Sequence, residues 1–84
     1  MSHPHEEGVV VAALGSMTVA LKAQRALLTA GLEATVVSLS PADTRRGCAY
    51  GVEFSAARES DARAALQGAH LSVSQYVRKG GGRL

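Results

Sequence analysis

The stretch EATVVSLSPADTRRGCAYGVEF, residues 33–54, decides the fold because it places two strands in succession with only a loop between them. Residues 33–39 are rich in β-branched side chains, which favour extended backbone. Residues 40–47 are rich in turn formers. In residues 48–54, Tyr, Val and Phe alternate with small or polar side chains, which predicts a strand with one apolar face.

The segments on either side of this pair each predict one helix and one further strand. From Gly8, the run GVVVAAL is short and continuously apolar, which favours a buried strand, and residues 17–30 carry apolar side chains at helical spacing. Beyond the pair, residues 57–68 predict a second helix and residues 71–77 a fourth strand. The β-α-β-β-α-β order predicts an α+β, ferredoxin-like sandwich. We therefore expect a four-stranded antiparallel sheet in the order 4-1-3-2, with both helices on one face.

Apolar spacing predicts which side of each helix faces the sheet. The predicted inner face of the first helix comprises Met17, Ala20, Leu21, Leu27 and Leu28. The predicted inner face of the second comprises Ala62, Ala65, Leu66 and Ala69. Ser16 or Thr18 is expected to cap the first helix, and Gly31 to end it.

Length and composition predict one globular domain. The chain has 84 residues, of which 46% are hydrophobic and 19% charged, and this balance argues against global disorder. We expect a disordered leader over residues 1–7, the domain over 8–77 and a flexible basic tail over 78–84.

The same numbers exclude several functional classes. A net charge of +2 and three aromatic residues are too few for a nucleic-acid groove. No apolar run reaches the roughly 18 residues of a membrane span, and the polar N-terminus does not resemble a signal peptide. The sequence therefore predicts a soluble, cytoplasmic protein that binds neither nucleic acid nor membrane.

The predicted topology gathers three connections at one end of the sheet. They are the entry to the first helix with Ser16 and Thr18, the loop that ends at Cys48, and the turn that contains His70. Cys48 is the only cysteine in the chain, so it has no partner for an intramolecular disulfide. We expect Cys48, the helix N-terminus and His70 to be neighbours.

Local charge favours the thiolate form of Cys48. Arg46 and Arg45 lie two and three residues before it, the amide of Gly47 is a hydrogen-bond donor, and a helix N-terminus is electropositive. In the alternative interpretation, Cys48 is a buried side chain that packs at the start of a strand. No metal site is predicted, since a soft-metal chaperone of this topology needs two cysteines in the GSMT loop.

Over about residues 9–77 the chain resembles the selenium/sulfur carrier-like family, formerly a domain of unknown function. The segments that carry the resemblance are SMTVALKAQRALLTAGLEATVV and RRGCAYGVEF. The family's cysteine corresponds to Cys48; the family usually has Ser-Cys-Gly there, whereas this chain has Gly47 before the cysteine and Ala49 after it.

The resemblance implies that Cys48 carries sulfane sulfur or selenium as a persulfide or selenopersulfide. The implied donor is an enzyme of the cysteine desulfurase or selenocysteine lyase type, and a second enzyme accepts the cargo. No cofactor is implied.

Two other functions remain open on the residues themselves. One is a non-catalytic module that binds a small ligand or a protein, with a structural Cys48 and a sheet face or edge strand available for homo-oligomerisation. The other is a free-standing enzyme, which is disfavoured because one cysteine and one histidine make a poor catalytic constellation.

Overall fold

Four strands, two α-helices and one 3₁₀ turn make up the computed structural model, which describes residues 8–39 and 50–79. In chain order they are β1 (Val9–Ala13), α1 (Met17–Thr29), β2 (Thr35–Ser38), β3 (Tyr50–Ser55), the 3₁₀ turn (Ala56–Arg58), α2 (Glu59–Gly68) and β4 (Gln75–Lys79).

The strands form one antiparallel sheet in the order β2-β3-β1-β4. This is the predicted order 4-1-3-2 read from the other edge, so the predicted strand order is confirmed. At the centre of the sheet, Val11 of β1 lies opposite Glu53 of β3 and Val77 of β4. The two edges of the sheet are therefore β2 and β4.

The main core lies between the sheet and both helices. Alternate residues of β1 and β3 point to this side, because successive side chains of a strand face opposite ways. The buried members are Val10, Ala12, Leu14, Ala20, Ala23, Leu27, Leu32, Val52, Phe54, Ala62 and Leu66. Each fully buried Leu or Val contributes roughly 1.5–3 kcal/mol of transfer free energy. Since buried residues of α1 and of α2 both belong to this core, the two helices cover the same face of the sheet.

The prediction of which residues of α1 face the sheet is partly wrong. Ala20 and Leu27 are buried as expected, but Met17, Leu21 and Leu28 keep 43%, 50% and 53% of their surface exposed. The helix instead buries the i, i+3, i+7 series Ala20, Ala23 and Leu27. Two alanines in that series let the helix backbone approach the sheet closely. Because this series faces the sheet, the second apolar series, Met17, Leu21 and Leu28, faces outward.

The fourth strand also differs from the prediction. It begins at Gln75 rather than Leu71, and it continues through Arg78 and Lys79, which the sequence placed in the tail. Leu71 instead caps α2, since its N–H donates to the carbonyl of Leu66 (3.1 Å). The predictions for the leader, for residues 40–49 and for residues 80–84 lie outside the described residues.

A smaller core lies on the face of the sheet opposite the helices. Val11, Ala13 and Leu39 are buried there, at the centre of the sheet. Gly51 lies beneath them: a Cβ atom at that position would sit 2.6 Å from the carbonyl oxygen of Ala12 and 2.9 Å from Val11 Cγ1. Glycine at position 51 is therefore required by close approach of its neighbours.

Within the two described segments, neither helix combines the length and the hydropathy needed to cross a bilayer. The helices have 13 and 10 residues, and each presents a polar face.

Gly51→Ala should lower the free energy of unfolding by about 1–3 kcal/mol, the usual cost of overpacking a core. The added methyl group has to displace a backbone oxygen in the middle of the sheet. Urea denaturation monitored by circular dichroism measures the change. Gly68→Ala is the matched control: a Cβ there meets nothing within 4 Å, so that variant should be as stable as the parent or more stable. Equal stability of the two variants would contradict the packing argument.

Candidate functional site

One end of the sheet brings three chain connections together, and we call it the loop end. The N–H of Leu14, just beyond β1, donates to the carbonyl of Tyr50, the first residue of β3 (2.8 Å). The N–H of Ser74 donates to the carbonyl of Ala13 (2.9 Å). Ser38, the last residue of β2, pairs with Tyr50. The exit of β1 into α1, the junctions of residues 40–49 with the sheet and the entry to β4 therefore share this end.

The N-terminus of α1 opens at the loop end. Ser16, one of the two predicted candidates, is its cap: its Oγ accepts the N–H of Val19 (3.2 Å) and its carbonyl accepts the N–H of Ala20 (2.9 Å). Thr18 is exposed in the first turn. No acidic side chain lies in that turn, so nothing on the helix neutralises its positive end. The N–H groups of Met17 and Thr18 have no intrahelical acceptor and are available to an anion.

His70 has a conformational role that the sequence analysis missed. Its φ is 60°, in the left-handed region that glycine favours. Its N–H donates to the carbonyl of Gln67 (2.9 Å) while Leu71 closes onto Leu66, which together form a Schellman motif. Gly31, with φ 86°, ends α1 in the same way. The sequence did not predict that His70 ends α2 as Gly31 ends α1, because histidine is an unusual residue in the left-handed region.

The structure therefore describes three of the seven predicted site residues. Ser16 and Thr18 lie at the loop end, and His70 is exposed in the α2–β4 connection that returns to it. No hydrogen bond or ion pair joins His70 to either of the other two. The remaining four, Arg45, Arg46, Gly47 and Cys48, fall outside the described residues, and their roles stay predictions.

A charged cluster ties α2 to β4. Glu59 binds Arg63 through Oε2 (2.7 Å to Nη2) and Arg78 through Oε1 (2.6 Å to Nη2). The hydrogen bond from Arg63 and the charge of Arg78 hold the pKa of Glu59 below its usual value, against the opposing effect of burial. The guanidinium of Arg63 also lies over the ring of Tyr76, 4.0 Å from its centroid. Burial raises the pKa of Tyr76.

This cluster corrects the prediction that Arg78 belongs to a flexible tail. The i, i+4 spacing of Glu59 and Arg63 is readable from the sequence. The contact with Arg78 depends on the register of β4, which aligns Arg78 with Val10. Each carboxylate oxygen binds one arginine, so the cluster serves as a structural tie rather than as a proton donor or acceptor.

Among the grooves that the described residues line, two are of interest. One, of about 650 Å³, lies at the end of the sheet opposite the loop end, beside Glu33, Glu53 and Arg58. The other, of about 590 Å³, runs along the exposed side of α1 beside Leu21 and Leu28. Across residues 8–39 and 50–79, no three His, Cys, Asp or Glu side chains come together in a way that could hold a metal ion.

No protein-family model matches this chain, and neither a curated protein nor a solved structure matches it significantly.

His70→Gly should raise the free energy of unfolding by up to about 1 kcal/mol, because it removes a Cβ from the left-handed region. The His70→Ala variant keeps the Cβ and loses only the imidazole, so its stability should stay close to that of the parent. Thermal and urea denaturation measure both. A loss of stability in the glycine variant would contradict this expectation and would show that contacts of the imidazole outweigh the relief of backbone strain.

Glu59→Gln should lower stability at neutral pH and have little effect in acid. The folded pKa of Glu59 lies below its ordinary value of 4.5. Its contribution is therefore fully present above about pH 4.5 and is lost as the pH falls through the folded pKa. Because the two arginines are 48% and 67% exposed, we expect a contribution of about 0.5–1 kcal/mol.

Urea denaturation of parent and variant at pH 7 and pH 3 measures this difference. Asp61→Asn is the matched control, since Asp61 and its partner Arg58 are 63% and 53% exposed and form a single surface pair. That control should change stability little at either pH. A Glu59→Gln effect of the same size at both pH values would contradict the assignment.

Proposed function

We propose that this protein is a ferredoxin-like carrier of sulfane sulfur or selenium, with Cys48 as the thiol that holds the cargo. The observation that carries the proposal is the loop end, where residues 40–49 leave and re-enter the sheet beside the N-terminus of α1. Cys48 precedes Tyr50 by two residues, and Tyr50 is hydrogen-bonded to Leu14, two residues before Ser16. Since consecutive Cα atoms are about 3.8 Å apart, the Cα atoms of Cys48 and Tyr50 are at most about 8 Å apart, and the proposal sets the thiol beside the helix entry.

The electrostatics of the helix entry support a reactive thiolate. A helix N-terminus lowers the pKa of a nearby thiol, and a thiolate is the form that attacks sulfur. The first turn of α1 lacks acidic residues and leaves two N–H groups without an intrahelical acceptor. Arg45 and Arg46 add positive charge within three residues of Cys48 in the sequence. In the proposal, His70 and Gly47 also stabilise the anion.

The transfer step balances without an added oxidant or reductant. The Cys48 thiolate attacks the terminal sulfur of a persulfide on the donor enzyme. A new S–S bond forms at Cys48, the donor's S–S bond breaks, and the donor's cysteine leaves as a thiolate. The same exchange, run against an acceptor enzyme, delivers the sulfur and regenerates Cys48. Selenium follows the same steps as a selenopersulfide.

The proposed partners are therefore proteins. A cysteine desulfurase or a selenocysteine lyase type of enzyme acts as donor, a second enzyme acts as acceptor, and no nucleic acid, membrane, metal or cofactor takes part. A free thiol persists in the reducing cytoplasm, which is the location that we propose.

The groove beside Glu33 and Glu53 favours one alternative function. A small cationic ligand at that site would make the protein a non-catalytic binding module, with Cys48 as a structural residue and with self-association through a sheet edge. The carrier is preferred because residues 40–49, which contain the single cysteine, connect β2 to β3 at the same end of the sheet as the helix entry.

Incubation with a cysteine desulfurase and cysteine should add the mass of one sulfur atom to the parent protein and none to Cys48→Ala. With a selenocysteine lyase and selenocysteine, the parent should gain selenium instead. Intact-mass spectrometry before and after reduction measures both, and reduction should remove the added atom. Circular dichroism of Cys48→Ala shows whether it is folded. Equal labelling of a folded Cys48→Ala variant, or a parent that takes up neither element, would rule out the carrier.

A further inference from the structure

The exposed side of α1 carries an apolar stripe that the core does not use. At about 100° per residue, Met17, Leu21 and Leu28 fall within roughly 40° of one another around the helix. They expose 43%, 50% and 53% of their surface and are the large apolar side chains of the described residues that do so. The stripe extends over three turns, roughly 16 Å along the helix.

The charges beside this stripe are of one sign. Arg25 lies about 40° from Leu21 around α1 and Lys22 about 100° from it. Both line the same groove as Leu21 and Leu28, and neither makes an ion pair with any described residue. The sequence of α1, MTVALKAQRALLT, contains no acidic residue. In contrast, Arg58, Arg63 and Arg78 all have acidic partners. The apolar stripe is therefore bordered by unpaired positive charge.

We propose that this stripe is the docking surface for an acidic amphipathic helix of a partner protein. An apolar stripe of this length along one helix suits the packing of a second helix, whose apolar side chains cover Leu21 and Leu28. Carboxylates at the rim of the partner helix pair with Lys22 and Arg25, which steers the encounter and fixes its orientation.

A second copy of this chain is a poor occupant for the same surface. In a two-fold symmetric dimer each subunit presents the same patch, so an α1–α1 contact would bring Lys22 and Arg25 toward their own copies. Like charges facing each other across an interface oppose association. The occupant that the charges favour is a different, acidic chain.

The stripe begins at the loop end of the sheet. Met17 follows Ser16, the cap of α1, so a helix docked here covers the first turns of α1 beside the junctions of residues 40–49. Under the proposed carrier function, this surface would hold a donor or acceptor enzyme near Cys48. Only that link rests on the carrier function, since the docking itself does not use the thiol.

The test uses the full chain and two synthetic peptides, which differ only in charge. Both are helix-stabilised and carry Leu at i, i+4 and i+7; one has Glu at the flanking positions and the other has Lys. We expect the acidic peptide to bind in fluorescence anisotropy, at least about tenfold more tightly than the basic one, with an affinity that falls as salt is added. Leu21→Gln with Leu28→Gln should weaken acidic-peptide binding by about tenfold or more.

Reversing the charges beside the stripe is the more stringent test. Lys22→Glu with Arg25→Glu should invert the preference, so that the basic peptide becomes the tighter ligand. Arg58→Gln removes a cation elsewhere on the surface and should leave binding unchanged, and Cys48→Ala should also bind normally, which separates this proposal from the carrier function. The substituted Leu, Lys and Arg residues are all exposed, and circular dichroism checks the folding of every variant.

Three results would overturn the proposal. They are equal binding of both peptides by the parent, full affinity in the Leu21→Gln, Leu28→Gln variant, and a concentration-dependent dimer of the parent that this variant abolishes in sedimentation velocity. The last result would assign the stripe to a second copy of the chain.

Discussion

The structure depends on β1, which is paired with a strand on each edge and buried on both faces. This strand is hydrogen-bonded to β3 on one side and to β4 on the other, and Val10, Val11, Ala12 and Ala13 expose 1% or less of their surface. Val10 and Ala12 belong to the core under the helices, while Val11 and Ala13 belong to the smaller core on the other face. A strand paired on both sides and covered on both faces fixes the positions of its neighbours and of the connections that leave it.

The loop end follows from that central strand. Because β1 passes directly into the cap of α1, the helix N-terminus must lie where β1 ends. The antiparallel register brings the start of β3 and the start of β4 to the same place. Two Schellman motifs complete the arrangement: Gly31 turns the chain from α1 toward β2, and His70 turns it from α2 toward β4. Backbone geometry therefore brings three strand ends, the N-terminus of α1 and the two junctions of residues 40–49 with the sheet to one end of the fold.

Charge is divided unevenly over the helix layer. On α2, Glu59 pairs with Arg63 and with Arg78 of β4, and Arg63 lies over the ring of Tyr76. These ionic groups therefore hold α2 to an edge strand. On α1, Lys22 and Arg25 have no such partner within residues 8–39 and 50–79. Paired charges contribute to stability, whereas charges without a partner in the described residues can pair with another molecule, which is the role that we propose for α1.

The amino-acid sequence by itself determined the order of the elements and limited the cap of α1 to Ser16 or Thr18, because these depend on local patterns: β-branched runs, alternation in residues 48–54 and a hydroxyl before an apolar helix. The order of the strands followed from the β-α-β-β-α-β plan. It also indicated the loop end, since antiparallel topology places alternate connections together. It did not determine which of two apolar series of α1 faces the sheet, where β4 begins, or that Arg78 reaches Glu59. Those features depend on how closely two surfaces approach: Ala20 and Ala23 let α1 settle onto the sheet and leave Leu21 and Leu28 outside. Side chains of similar hydrophobicity are equivalent in a sequence pattern, and only their volumes in three dimensions decide between them.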